Sequence, residues 1–371
     1  MKKCRVAVLF GGVSGEHEVS LRSAASVIHH LDKEKFEVLP VGITKDGTWL
    51  LQDAGRLKQD KDKALILQAD ARPLDFSQKQ GSERSVDVVF PVMHGTYCED
   101  GCMQGFLETL SLPYVGAGVL GSAIGMDKVV SKQLARAAGI PVADFIELRF
   151  SQWQASKEDC IANIITKLKL PLFVKPVSAG SSVGIHKVKT KEQLIVAIQD
   201  AFGYESRLII EEGIVGREIE VSVLEDLDFA RPPRASLPGE IKPAREFYDY
   251  TAKYLDPNGA LLCVPADLPM DITSKVREMA AQVFLALQCD GMARADFFLE
   301  DHTNRIVFNE INTLPGFTAI SMYPQLWQVS GMTYTGLLTH LIELAMIKHE
   351  RKKRYQQRHT HNTMPLEQHG E

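Results

Sequence analysis

The sequence predicts an α/β protein with α+β elements: an open parallel sheet at the N-terminus, then lobes built around hairpins. Three observations predict it. Arg5–Phe10 is an apolar strand that enters a glycine loop, GGVSGEHEVS, and then a helix from about Ser20 to Leu31. VDVVFPVMHG is a continuous apolar strand of the kind buried on both faces of a parallel sheet. Farther on, strands come in pairs around glycine or polar turns, at 172–188 and at 293–310. With 371 residues the chain can bury a large core, divided among roughly two or three domains.

The first glycine loop is not a dinucleotide fingerprint, because a G-x-G-x-x-G through Gly12 and Gly15 needs glycine where Phe10 stands. No G-x-x-x-x-G-K-[ST] occurs either. Glu18 complements the helix dipole. Glu16 directly follows the glycines, where its carboxylate can face a ligand amine. Phe36–Ile43 and Val86–Val92 continue the sheet, and HGTYCEDG follows at a carboxyl end, where open sheets place ligands. His94 there reads equally as a contact to a small substrate and as a structural residue. With Cys98 and Cys102 it gives H-x₃-C-x₃-C, which lacks a fourth zinc ligand. Lys45–Arg84 is polar and holds a weak hairpin. Gln104–Leu110 is a short helix, and a glycine-punctuated crossover places a domain boundary near Gly121. Lys128–Ala138 is a helix ended by Gly139 and Pro141, on which Lys128 reads as part of a solvated basic face.

The strand Leu172–Lys175 ends on a lysine, and SAGSSVG leads into a second strand, Gly184–Val188. That is the form of a flap whose N–H groups and hydroxyls lie over phosphates, with Lys175 as a nearby point charge. RLIIEEGIVGREIEVSVLED gives two strands, with Glu211 and Glu218 on either side of Gly213–Gly216 and a segment between them suited to lining an adenine. A short strand lies at about Ala235–Leu237. EFYDYTAKYLDPNG has three tyrosines and few aliphatics, the composition of a lid. Asp271–Leu287 and Met332–Lys348 are helices. From His349 nothing is left to bury, which predicts a disordered tail.

The last hairpin joins Ala293–Leu299 to Arg305–Glu310. Alternation puts Arg294 and Asp296 on one face, with Ala295 and Phe297 on the other. Antiparallel pairing would bring Asp296, Glu310 and Asn312 together, an all-oxygen set that suits Mg²⁺ and not Zn²⁺. Arg294 would stand one pleat away, placed to stabilise a transferring phosphoryl group. Pro315-Gly316 then turns the chain and exposes backbone N–H groups.

Totals narrow the function. Lys+Arg number 42 and Asp+Glu 47, net −5, against a nucleic-acid surface. The six cysteines show no disulfide spacing and fit a reducing cytoplasm. VAVLF is too short for a signal segment, and no apolar run approaches a membrane span.

In combination and in order, LFGGVSGEHEVS, HGTYCEDG, VKPVSAGSSVG, EFYDYTAKY, RADF and NEINTLPGFT resemble the ATP-grasp superfamily. Within it they closely resemble the D-alanine–D-alanine ligase family, over nearly the whole chain to about Lys348. The resemblance implies an ATP-grasp fold: an N-terminal substrate domain at 1–121, a central lobe with the flap at 122–211, a lobe with metal site and lid at 212–348, and the tail 349–371. It implies cytoplasmic, ATP-dependent joining of two D-alanines through an acyl phosphate, for peptidoglycan precursors, by a homodimer. Lys128, Lys175, Ser181, Ser182, Glu211, Glu212, Ile214, Glu218 and Phe298 would hold ATP. Asp296, Glu310 and Asn312 would hold two Mg²⁺, for which Mn²⁺ can substitute. Glu16 would bind the first ammonium, near Val19 and His94. Arg294 and the Gly316 amide would stabilise the oxyanion, and Lys253 and Ser321, with Met322 beside them, would take the acceptor. Glu16, Ser181 and Tyr254 would link lid to flap.

Two rivals stand beside this reading. A D-alanine–D-lactate ligase shares the chemistry with an alcohol acceptor, but Tyr254 after Lys253 points to the dipeptide. A nucleotide-binding sensor without chemistry would not need Arg294, Gly316 and a complete metal trio together.

Overall fold

The structure is a computed structural model and describes residues 2–59, 64–68, 71–73, 86–181, 183–243 and 260–362. Three larger sheets follow one another along these residues. In the first, β1 (Cys4–Gly11) pairs in parallel with β2 (Phe36–Ile43), and β3 (Trp49–Leu51) adds antiparallel to β2. β4 (Val88–Pro91) flanks β1 on its other side, again in parallel. Val6, Val8 and Phe10 point to one core and Ala7 and Leu9 to another, all fully buried, so the sheet is covered on both faces. The helix α1 (His17–His30) packs on the first of these faces.

The second sheet is antiparallel throughout: β5 (Phe145–Arg149), β6 (Leu172–Pro176), β7 (His186–Val188) and β8 (Arg207–Glu212), in the order β7-β6-β8-β5. Leu172, Val174, Leu208 and Ile210 pack into the core beneath its helices. The strand period of two therefore turns Phe173, Lys175 and Glu211 to the opposite face. The third sheet runs β11-β10-β9-β12-β13, where β9 is Gly216–Leu224, β10 Gly239–Pro243, β11 Ala260–Cys263, β12 Met292–Glu300 and β13 Ile306–Asn312. Ile219, Val221, Ala293, Ala295 and Phe297 pack against the helix Met270–Ala286. Glu218, Glu220, Arg294, Asp296 and Phe298 are thereby left on the other face.

β8 and β9 belong to different sheets, so Gly213–Gly216 is a crossing between lobes. The boundary read near Gly121 falls inside a helix, Val119–Met126. The final helices, Met322–Val329 and Tyr334–Asn362, return to the first sheet. Tyr323, Trp327, Leu337 and Leu341 share a core with Val6, Val8 and Phe10. The Asp290 carboxylate accepts from Gly118 N at 2.6 Å and pairs with Lys348 at 2.9 Å, tying the third sheet to the first.

The disordered tail expected from His349 is helical through Asn362, and residues 363–371 lie outside the described residues. Glu350 pairs with Lys353 at 3.0 Å along it, and Lys, Arg and Gln are strong helix formers, so this stretch extends a helix already nucleated by packing. The lid segment with Lys253 and Tyr254, and Ser182 of the flap, lie outside the described residues.

Candidate active site

The hairpin of β12 and β13 sets Asp296 opposite Glu310 and Arg294 opposite Asn312, with a bulge after Asp296. On the other flank of β12, Glu220 of β9 stands opposite Asp296. The Arg294 guanidinium donates to both Asp296 oxygens, at 2.8 and 2.7 Å, and its Nε lies 3.0 Å from Glu220 Oε2. Burial alone would favour the neutral form, but Asp296 and Glu220 overcome it and hold Arg294 firmly protonated.

The donor set fits a hard divalent cation. Asp296, Glu310 and Asn312 offer only oxygens, and all three line one cavity. Arg294 occupies two of about four lone-pair sites on the Asp296 carboxylate. Asn312 Oδ1 accepts from Leu314 N at 2.9 Å and keeps a second lone pair. Among the described residues no three His, Cys, Asp or Glu side chains form a metal cluster. The third donor of this trio is an amide.

Two cavities meet here. The smaller, about 530 Å³, is lined by Lys128, Lys132, Phe173, Lys175, Glu211 and Phe298, and by the crossing Glu212, Ile214 and Gly216. Lys175 Nζ lies 2.5 Å from Glu211 Oε1 and Lys132 Nζ 2.9 Å from Oε2. Burial pushes the Glu211 carboxyl up, but the two lysines outweigh it and bring it down to about 2. Burial lowers Lys128 and Lys132 from their ordinary values, whereas for Lys175 the adjacent Glu211 carboxylate outweighs burial and raises it. Lys128 Nζ donates to Ala179 O of the flap at 2.8 Å and stands 3.9 Å from Glu310.

The larger cavity, about 960 Å³, is lined by Glu16, Val19, His94, Arg294, Asp296, Asn312, Gly316, Ser321 and Met322. Glu16 is buried at the start of α1. A Cβ placed on Gly180 would come 3.2 Å from Glu16 Oε1, so the glycine lets the flap approach that carboxylate. Next in the flap, Ser181 has a left-handed backbone, φ 50°. His94 is buried and donates from Nδ1 to Leu314 O at 3.1 Å, while its Nε2 hydrogen-bonds Ser23 Oγ at 3.3 Å. Burial alone would lower its pKa; Glu99 and Glu16 outweigh that and raise it. Ser23 Oγ in turn accepts from Phe317 N at 3.3 Å, so His94 and Ser23 clasp the Leu314–Phe317 turn. Ser321 Oγ accepts from Thr318 N at 2.9 Å, and a Cβ on Gly316 would stand 2.8 Å from it.

Lys128, Ser181, Glu218, Phe298 and Glu310 line both cavities. Every expected site residue within the described residues lines one cavity or the other. The solvated face assigned to Lys128 needs correction: only 8% of the residue is exposed, because the first turn of its helix is covered by β13 and the flap. Sequence reasoning missed Lys132 and Glu220. Lys132 carries a faint signal, one helical turn after Lys128. Glu220 carries the same strand alternation as Glu218.

A family profile described as D-ala D-ala ligase N-terminus matches residues 5–117, and one described as D-ala D-ala ligase C-terminus matches 134–343. The chain is 48% identical over 366 residues to D-alanine--D-alanine ligase A of Bradyrhizobium diazoefficiens, covering 95% of this chain and 97% of that protein. It is 45% identical over 362 residues to D-alanine--D-alanine ligase of Natranaerobius thermophilus, covering 95% and 98%. Among solved structures, a D-alanine-D-alanine ligase from Coxiella burnetii superposes with a TM-score of 0.84 at 37% identity, over 98% of this chain and 99% of that one. The VanG D-Ala:D-Ser ligase from Enterococcus faecalis superposes at 0.78 and 35%, over 93% and 100%.

Proposed function

The chain belongs to the D-alanine–D-alanine ligase family, and from that premise we propose how its two cavities divide the joining of two D-alanines. It is an ATP-dependent, ADP-forming ligase of ATP-grasp fold that makes D-alanyl-D-alanine for peptidoglycan. The observation that carries the division is the meeting of a lysine-rich cavity with an acid-lined one at Lys128, Ser181 and Glu310.

ATP takes the smaller cavity. The backbone of Glu211–Ile214 faces the adenine between Phe298 and the Phe173 side, with Glu212 and Glu218 at its edge. Lys128 and Lys175 meet the phosphates beneath the flap, Ser181 and Ser182. Asp296, Glu310 and Asn312 would hold Mg²⁺, or Mn²⁺ in its place, which when bound offsets phosphate charge. D-alanine takes the larger cavity. Glu16 binds its ammonium, with Val19 and His94 behind it. Its carboxylate oxygen attacks the γ-phosphorus; the new O–P bond forms as the bond to ADP breaks. The second D-alanine lies on Ser321 and Lys253, beside Met322. Its amine, having lost a proton, attacks the acyl carbon, and phosphate leaves with the C–O electron pair. Arg294 and the Gly316 N–H stabilise the oxyanion that develops in between. Glu16, Ser181 and Tyr254 join flap to lid and keep water from the acyl phosphate.

We place this reaction in the cytoplasm and in a homodimer, which fractionation and sedimentation test. No helix among the described residues is long and apolar enough to cross a membrane. The direct test is ADP release from ATP with D-alanine, L-alanine or D-lactate as the only other substrate. ADP should appear with D-alanine, together with an equal amount of dipeptide. ADP release that ignores D-alanine would refute the assignment.

A further inference from the structure

Lys132 has no place in the steps above, yet it lines the nucleotide cavity and its side chain is only 2% exposed. It shares one carboxylate with Lys175. Glu211 Oε2 faces Lys132 at 2.9 Å, Oε1 faces Lys175 at 2.5 Å, and all three side chains are buried or nearly so. A buried carboxylate needs one cation for neutrality. Here it has two, and the one reaching farther into solvent is Lys175, at 11%.

We propose that Lys132 is a positioning residue for the nucleotide: as the standing counter-ion of Glu211, it leaves Lys175 free to turn onto the phosphates. The inference rests on the nucleotide reading of this cavity. Were Lys175 the only partner of Glu211, each turn toward a phosphate would strand a buried carboxylate. With Lys132 fixed on the other oxygen, the Lys132–Glu211 pair is neutral, and the full charge of Lys175 is available to an anion. The strands support the same division. Lys175 and Glu211 sit on adjacent strands β6 and β8, whereas Lys132 comes from the helix Lys128–Ala137 and approaches the carboxylate from outside the sheet.

The test measures binding of ADP and of adenosine to the full chain by calorimetry, without added metal, so that no turnover enters. Lys132→Met should weaken ADP about tenfold and leave adenosine unchanged, because only the phosphate site loses its surplus charge. Lys132→Met/Glu211→Gln removes both members of the neutral pair and should restore the parent ratio of ADP to adenosine affinity. The double variant also serves if the single one fails to fold, since it leaves no carboxylate to strand. A Lys132→Met protein that binds ADP as the parent does would overturn the proposal. So would an equal loss for both ligands, or a double variant whose ratio stays low. A parent that binds no ADP would instead overturn the nucleotide reading itself.

Discussion

The smaller cavity presents lysines gathered round one glutamate; the larger presents carboxylates gathered round one arginine. The first is furnished mainly by two adjacent sheets and a short helix, so strand pairing fixes Lys175 and Glu211 while the helix brings Lys128 and Lys132 to them. The second draws on α1, the loop after β4, the β12–β13 hairpin and the turn at Gly316, and is held by bonds between distant parts of the chain. The contrast matches the proposed division, in which polyphosphate would go to the cation-rich side, and an ammonium and a divalent cation to the acid-rich side. Charge that reached either cavity without its complement would be stranded in low dielectric.

The largest expected effect is at the acid-rich side. On the proposed metal reading, Glu310→Gln swaps an anionic ligand for a neutral one and should lower turnover about a hundredfold or more at saturating Mg²⁺. ADP binding without metal should be little changed, and a loss of both would mean that Glu310 acts on the nucleotide directly and not through a metal. Lys175→Ala should act on the other side, raising the KM for ATP roughly tenfold while the KM for D-alanine holds. Equal rises in both would blur the division. Acid sensitivity sharpens it further. The Glu211 carboxyl is depressed from its ordinary 4.5 to about 2, so its ion pairs stabilise the fold fully above pH 4.5 and are lost as pH falls through about 2. Glu211→Gln should flatten that acid limb in a denaturation series, and an unchanged limb would mean the carboxylate is not so held. The smallest effect belongs to Ser23→Ala, which removes the link between His94 and Phe317 N at a cost of about 1 kcal/mol. The KM for D-alanine should rise a few-fold with the KM for ATP unchanged.

How far the sequence disclosed all this varied with the kind of contact. That Arg294 and Asp296 share one face was legible, because strand alternation puts every second residue there, but their ion pair was not. The oxygen trio was legible for the same reason, once the hairpin closed Asp296 onto Glu310. Glu220 was not, since its meeting with Arg294 depends on a strand order that no local pattern encodes. The stripe Lys128, Lys132 and Arg136 misled, because lysines one turn apart look solvated. Only the Arg136 side chain is half exposed, and the neighbouring strands cover the rest of the stripe. The strand β5 and the helices Lys157–Lys167 and Lys191–Ala201 carry no site residue, and core packing, pairing with β8 and the Ser156 and Thr190 caps order them.

The central claim is that a phosphoryl group crosses from the lysine side to a carboxylate on the acid side. It is tested most directly with D-alanine carrying ¹⁸O at both carboxylate oxygens. Attack of that carboxylate on the γ-phosphorus leaves one labelled oxygen in the phosphate released and the other in the new amide carbonyl. The account predicts phosphate bearing one ¹⁸O for each dipeptide formed. Phosphate free of label would mean that water cleaves ATP and that no acyl phosphate joins the two cavities.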